Sequence, residues 1–511
     1  MKNFKLSKFL QQFVLLLFFL VLGISTGLAF PPYNCPYTIF ISIAALIYTI
    51  DTIKFNYPKF WAGYIFYLGA GSIYIGHWLS FYLQLQLGIS WFFSHFLTSL
   101  VFIYASIYSG IMLWIYFKIK TKWHFFNLVI LFPSLWTLVE LVRSTFFPDT
   151  WYDLGYSQAS TIWLKGFFPL LGSYGVSFII VAIGGFLVYF IKSSIYKKIS
   201  LSIGFLFFIL LGISLNSLHY TAKTGPELTL ALVQPNVPSS WFHQRSASDL
   251  ENIILELLQK HDIRSTKNKV DIVILPETVF GMPTEYLPSG YLDKLVKNSG
   301  ENAVIIFGSP VHQTNSIVVL QNHTLKTVYT KQHLVPWGES DPTRGTILAP
   351  LVKLISGRNR FLIAGPSNQE PAEIKQQMFA FNICYENGFG NLVAKSAQKA
   401  NLMLNLSDLS WFGNTEMKDV ELQFSQVRAL ENQRYFVQDG NTGITAVIAP
   451  DGTVYKQIKP YTPDVLIATV SGYSGQTPYQ IYTDWLIAAI SLLNSIIALF
   501  FWYRTGKSNS L

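Results

Sequence analysis

The sequence predicts a polytopic α-helical membrane domain joined to an α/β layered domain, and three observations carry that prediction. Only 13% of the 511 residues are charged and 51% are hydrophobic, against about 25% charged in a soluble chain. The apolar excess is segregated into long runs that fill the N-terminal part and recur once near the C-terminus. Between them lies a stretch of ordinary charge density with short β-branched runs, the pattern of buried strands. A simple soluble enzyme and a disordered chain are both excluded.

The apolar runs cover residues 13–30, 37–50, 60–75, 89–117, 125–141, 167–191, 203–215 and 485–503. A crossing helix needs about 20 apolar residues, so eight crossings are expected, the second and seventh runs being short enough for buried or re-entrant helices. Basic residues orient them, because Lys and Arg stay on the cytoplasmic side. Alternate links collect Lys2, Lys5 and Lys8; Lys54 and Lys59; Lys118, Lys120 and Lys122; Lys192, Lys197 and Lys198; and Arg504 with Lys507. Of the opposite links, 31–36 and 83–88 contain no Lys or Arg, and a third carries Arg143 and Lys165. Both termini are therefore expected inside and the segment before the last crossing outside. These links account for much of the net charge of +9 without any nucleic-acid partner. A secretory signal cleaved after Ala29 is the alternative for the first run, disfavoured by the apolar runs that follow.

The expected division is 1–224 for a membrane domain of about seven helices, 225–478 for an extracytoplasmic domain, and 479–511 for a last helix and cytoplasmic tail. In the middle segment, residues 228–234, 270–275, 303–308, 379–384, 401–406 and 443–448 suit buried strands. Residues 248–259 suit an amphipathic helix, with Leu250, Ile253, Ile254, Leu257 and Leu258 on one stripe. Strands interleaved with helices predict the α/β layering.

The sequence contains no Walker A loop, dinucleotide fingerprint, His-Glu-x-x-His or Gly-x-Ser-x-Gly elbow. Carboxylate, amine and thiol chemistry remain, with no cofactor and no metal expected. The only cysteines are Cys35, in an Asn-Cys-Pro link, and Cys384; a disulfide framework is absent. Cys384 ends an apolar run, where a nucleophile is held rigidly with its sulfur accessible; a small buried hydrophobe is the bland alternative. Glu277 follows an apolar strand in Ile-Leu-Pro-Glu-Thr, where partial desolvation makes a usable base; a cap or turn residue is the alternative. Lys331 opens Lys-Gln-His-Leu-Val-Pro-Trp-Gly-Glu and could steady an oxyanion or a thiolate, or be merely solvated. His333, without a second histidine nearby, reads as a packing or hydrogen-bonding residue rather than a base. Glu140 and Arg143, three apart near the outer end of a crossing, suit either a mutual pair with a snorkelling Arg or a contact from Arg143 to a lipid headgroup.

As an ordered set with these flanks, Glu277, Lys331 and Cys384 resemble the nitrilase superfamily, which implies a Glu-Lys-Cys triad on a four-layer αββα sandwich. The resemblance extends to residues 405–413, 428–434, 441–445 and 450–452. Joined to eight crossings, and with residues 134–143 and 153–158 also matching, the chain resembles the membrane-embedded apolipoprotein N-acyltransferase family. That resemblance implies Glu277 as general base, Lys331 as oxyanion stabiliser and Cys384 as nucleophile, with Glu339, Tyr385 and Glu386 in support. The chain departs from the pattern at Trp337, in place of Phe; at Glu421, where His is common; at Gln438 and Asp439, in place of Arg-Ala; and at Trp241, which is offset.

The implied reaction moves an acyl chain from a phospholipid, through a Cys384 thioester, to the N-terminal amine of a diacylated apolipoprotein. The implied setting is the bacterial inner membrane, with the catalytic domain periplasmic and the protein a monomer in the bilayer. A membrane-tethered amidase would use the same triad and is the second reading. A non-catalytic transporter or scaffold is the third, disfavoured by the scarcity of charge within the crossings.

Overall fold

The computed structural model describes residues 2–53, 59–146, 151–238, 247–265, 269–300, 302–336, 338–341 and 361–504. Trp241, Trp337, Lys54 and Lys507 lie outside them. The chain divides into two compact units, one of Met1–Phe81, Ser90–Leu218 and Tyr482–Leu511, the other of Tyr82–Ile89 and His219–Ile481.

The first unit is helical. Among the described residues six helices are long and apolar enough to cross a membrane, spanning Leu10–Gly27, Trp91–Ile119, His124–Thr145, Phe168–Ile191, Ile195–Leu215 and Trp485–Arg504. The second and third apolar runs form helices of 15 residues each, Thr38–Thr52 and Phe60–Tyr74. At 1.5 Å per residue these reach about 22 Å, short of the roughly 30 Å hydrocarbon core. The seventh run, expected to be short, starts earlier at Ile195 and reaches 21 residues because Lys197 and Lys198 join its first turns. Its flanks expose Ile199, Ile203, Leu206, Phe207 and Leu210, and only Gly212 is buried. Such a face is stable against lipid and costly against water.

The Lys2–Gly27 and Phe60–Tyr74 helices cross closely. A Cβ on Gly23 would stand 1.9 Å from the Phe66 carbonyl oxygen, and one on Gly69 2.3 Å from that of Leu20. Small residues permit this approach where no hydrophobic force drives helices together.

Arg143 is buried inside the first unit. It is 1% exposed, pairs with Asp153 at 2.7 Å, and donates to the Tyr152 carbonyl at 3.0 Å and to the Tyr67 hydroxyl. Glu140 accepts from Trp136 Nε1 at 3.0 Å and the Leu154 amide at 3.1 Å, and lies within reach of the Arg143 charge. Both terminal nitrogens of the guanidinium thus donate to internal oxygens.

The second unit is built on two six-stranded mixed sheets. The first contains β1 (Thr221–Gln234), β2 (Ile272–Leu275), β3 (Val304–Val311), β4 (Thr314–Gln321) and β5 (Thr324–Thr330). The second contains β6 (Ala372–Ile374), β7 (Gln377–Ile383), β8 (Leu402–Ser407), β9 (Phe436–Gly440), β10 (Ala446–Ile448) and β11 (Val454–Gln457). The long β12 (Asp464–Gly475) returns to pair with β1, giving the orders β12-β1-β2-β3-β4-β5 and β11-β10-β9-β8-β7-β6.

Helices cover the outer faces. Ile254, Leu257 and Leu258 of the Ala247–Lys260 helix and Leu295 of the Tyr291–Ser299 helix pack on Val273, Leu275, Ile305 and Phe307. Val393 and Ala397 of the Gly390–Ala397 helix and Ala429 of the Met417–Asn432 helix pack on Ala380, Met403 and Phe436. With β1 and β2 meeting β9, and β12 meeting β8, the layers run helix, sheet, sheet, helix. This is the αββα sandwich that the resemblance implies.

Candidate active site

Strand direction explains why the candidate residues converge. β2 and β3 are parallel, and β4 and β5 each reverse, so β5 runs with β2 and both end at one edge of the sheet. Glu277 lies two residues beyond β2 and Lys331 directly follows β5. Asn315, near the start of the reversed β4, sits at the same edge, and its carbonyl accepts from the Lys331 amide at 2.8 Å. In the second sheet β7, β8 and β9 are parallel; Cys384 directly follows β7 and Asp408 directly follows β8. Carboxyl ends of parallel strands are where open α/β sheets hold ligands.

The loop carrying Glu277 is pressed onto β3 at Gly308, where a Cβ would stand 2.6 Å from the Glu277 Cα. Only a glycine permits that approach. Cys384 adopts φ 50°, a left-handed conformation that costs a non-glycine residue of order 1–3 kcal/mol and recurs at functional sites.

Glu277, Lys331 and Cys384 line one cavity of about 220 Å³, whose other walls include Tyr82, Val335, Leu362, Trp411 and Phe412. Tyr82 and Phe412 stack with ring centroids 5.0 Å apart. Apolar walls around a few convergent polar groups are the usual make-up of a small-molecule site.

Inside this cavity Lys331 Nζ lies 3.2 Å from Glu277 Oε1 and 2.9 Å from Glu339 Oε1, with the lysine 1% exposed. Asn315 Nδ2 donates to Glu277 Oε1 at 2.7 Å, and the Asp408 amide to Glu277 Oε2 at 2.8 Å. Glu339 Oε2 accepts from the Val335 amide at 2.9 Å, which closes the lysine loop on itself.

Burial alone would pull the Lys331 ammonium down, but the charges of Glu277 and Glu339 outweigh it and hold its pKa well above the ordinary value. Lys331 is therefore a fixed cation. Burial, helped by the Glu277 charge and opposed by Lys331, pushes the Cys384 thiol well above its ordinary value. The resting sulfur is protonated and needs a base.

Glu386 ties the cysteine turn to the lysine loop. Its Oε2 accepts from the Ile383 amide and the Tyr329 hydroxyl, both at 2.8 Å. Its Oε1 accepts from the amides of Gln332 at 2.6 Å and His333 at 3.0 Å. Burial raises it to about 7 against the pull of those donors. Tyr385 is buried and meets Phe389 edge to face at 5.0 Å, and Phe389 stacks on His333 at 4.4 Å. His333 thus packs as the sequence suggests.

The structure brings Glu277, Lys331, Cys384, Glu339 and Glu386 into one connected group. Sequence reasoning missed Asn315, Asp408 and Tyr329 as partners. Each is a polar residue of a strand or strand end, and only its burial, at 3%, 2% and 4% exposure, marks it out. Among the described residues no group of three His, Cys, Asp or Glu side chains is placed to hold a metal.

Comparison with known proteins gives concordant findings. Residues 22–186 match the Apolipoprotein N-acyltransferase N-terminal domain and residues 229–479 the Carbon-nitrogen hydrolase family. The chain is 29% identical to the apolipoprotein N-acyltransferase of Chromobacterium violaceum, over 97% of this chain and 95% of that one. It is 30% identical to that of Neisseria meningitidis serogroup B, over 79% and 81%. Similar solved structures include the C. elegans NitFhit protein, 17% identical over 55% of this chain and 65% of that one with a TM-score of 0.36. An amidase from Nesterenkonia sp. is 15% identical over 48% and 90%, with a TM-score of 0.34.

Proposed function

Since the chain belongs to the apolipoprotein N-acyltransferase family, membrane enzymes that N-acylate lipoproteins, we propose that it does so through a Cys384 thioester loaded from a phospholipid. The observation that carries this reading is the cavity shared by Cys384, Glu277 and Lys331, with Lys331 Nζ 3.2 Å from Glu277.

In the first half-reaction Glu277 takes the thiol proton and the thiolate attacks the sn-1 ester carbonyl. The Lys331 ammonium offsets the charge that develops on the carbonyl oxygen. The carbon–oxygen bond breaks, Glu277 returns the proton to the leaving alkoxide, and lysophospholipid departs from the thioester. In the second, the α-amine of the diacylglyceryl-cysteine attacks that thioester, Glu277 takes its proton, and the thiolate leaves and is reprotonated. An amide forms at the expense of a weaker thioester, so the transfer needs no ATP.

Glu339 supports the reaction by holding Lys331, and Glu386 and Tyr385 by fixing the cysteine turn. We read residues 1–224 and 479–511 as the bilayer part and 225–478 as the catalytic part. Basic links support a periplasmic catalytic domain at a bacterial inner membrane with cytoplasmic termini. Tethering at the bilayer raises the local concentration of both lipid substrates.

The test is conversion of a diacylated lipopeptide to its triacylated form by full-length protein in phospholipid micelles. Cys384→Ala is expected to lower the rate by at least about 10³-fold, as loss of a nucleophile does; a rate within tenfold of the parent would overturn the proposal.

A further inference from the structure

Behind Cys384 lies a buried polar ring that the mechanism above does not use. The register that pairs Ile383 with Leu406 sets Cys384 beside Ser407, whose hydroxyl hydrogen-bonds the thiol. Ser407 Oγ and Glu421 Oε1 share a hydrogen bond of 2.5 Å. Glu421 Oε2 accepts from Gln438 Nε2 at 3.3 Å, and that amide nitrogen also donates to the Ile444 carbonyl at 2.8 Å. Gln438 Oε1 accepts from Ser425, whose hydroxyl accepts from Asn387 Nδ2 at 2.7 Å. Asn387 belongs to the cysteine turn, so the ring begins and ends on the nucleophile's own segment. Ser407, Glu421, Gln438, Ser425 and Asn387 are each at most 2% exposed.

Among the described residues no cation lies within ion-pair distance of Glu421. The charged groups that face it are Glu277, Asp408 and the sulfur, all anionic when ionised, and Lys331 at longer range. On its own helix Arg428 is engaged by Glu431 at 2.9 Å. Burial with no cation beside it raises the carboxyl to about 8, so it is neutral at pH 7.

We propose that Glu421 is a positioning residue for Cys384, acting through Ser407 as a neutral-acid relay. With the carboxyl protonated, its O–H donates to Ser407 Oγ and the serine hydroxyl donates to the thiolate as the thiol proton passes to Glu277. With the carboxyl ionised, the hydroxyl turns to Glu421 and offers the sulfur only a lone pair, which favours the thiol. No proton is consumed in the relay. The proposal rests on Cys384 being the nucleophile.

The test is the rate of iodoacetamide alkylation of Cys384 between pH 5 and 10, followed by intact mass, on full-length protein in detergent micelles. A Cys35→Ser background removes the exposed second thiol. In the parent the logarithm of the rate should climb one unit per pH unit and flatten above about 8. In Glu421→Gln, whose amide donates at every pH, it should keep climbing and exceed the parent about tenfold at pH 9, while matching it at pH 7. Ser407→Ala should lower the rate about tenfold at pH 7 and make an added Glu421→Gln silent. Coincident profiles for the parent and Glu421→Gln, or an effect of Glu421→Gln that persists in Ser407→Ala, would overturn the relay. Alkylation needs no acyl donor, so a protein that never loads lipid would defeat the proposed function and leave this inference standing.

Discussion

Lys331 carries one positive charge between two carboxylates, and that ratio fixes how the site responds to mutation. Removing it leaves the buried Glu277 and the half-buried Glu339 together without a cation, which costs up to about 3–5 kcal/mol of stability. It also removes the group proposed to meet the oxyanion, worth about 10²–10³ in rate. Lys331→Met should therefore lower both the thermal midpoint in detergent and the rate of triacylation. A variant that loses activity with an unchanged midpoint would show that the carboxylates find another partner. At this scale the sequence is informative where chemistry and flank coincide: Glu277 and Cys384 each follow an apolar strand. It is silent where a polar residue is inward-facing only because of register. Asn315 and Ser407 look like surface residues until β4 and β8 are paired, and Glu421 is visible only as a departure from a pattern. The oxygens that Arg143 meets, from Asp153, Tyr152 and Tyr67, likewise come from segments whose meeting no local spacing announces.

The elements were legible in proportion to their hydrophobicity. The apolar stretches at 228–234, 303–308 and 401–406 appear within β1, β3 and β8, and the stripe at 248–259 within the Ala247–Lys260 helix. β9 ends in Gln-Asp-Gly, and the Met417–Asn432 helix, beside an apolar stripe of Met417, Val420, Phe424, Val427 and Leu430, also buries Glu421, Gln423, Ser425, Arg428, Glu431 and Asn432, which no apolar period reveals. They are polar because they surround the site. The contact between the Glu277 loop and β3 is the most exacting of these element-level features. Gly308→Ala sets a methyl 2.6 Å from the Glu277 Cα, and the loop must move by several tenths of an ångström or more. A displacement of that order at a catalytic base costs about 10²-fold in rate. The variant should fold and slow both alkylation of Cys384 and triacylation; full activity would mean that the loop's position is not critical.

At the scale of the whole molecule, two kinds of surface have to be explained together. One unit exposes contiguous apolar helix faces that only a bilayer satisfies, and the other encloses a cation, two carboxylates and a thiol in an αββα sandwich. Eight crossings are expected from composition, and among the described residues six helices are long and apolar enough. The 15-residue helix Thr38–Thr52 falls short of a full crossing, as its short run suggests, whereas Phe60–Tyr74 does so without a signal in its run. An enzyme that N-acylates lipoproteins joins the two surfaces in one chain, and the mechanism we propose for it requires a covalent acyl-enzyme. Intact mass of the full-length protein after incubation with a phospholipid of defined sn-1 chain tests that requirement most directly. The account predicts an increase of one such acyl group on Cys384, discharged on addition of a diacylated lipopeptide that gains the same chain. Triacylated lipopeptide forming while Cys384 stays unmodified at every time point, or an acyl group carried by another residue, would contradict it.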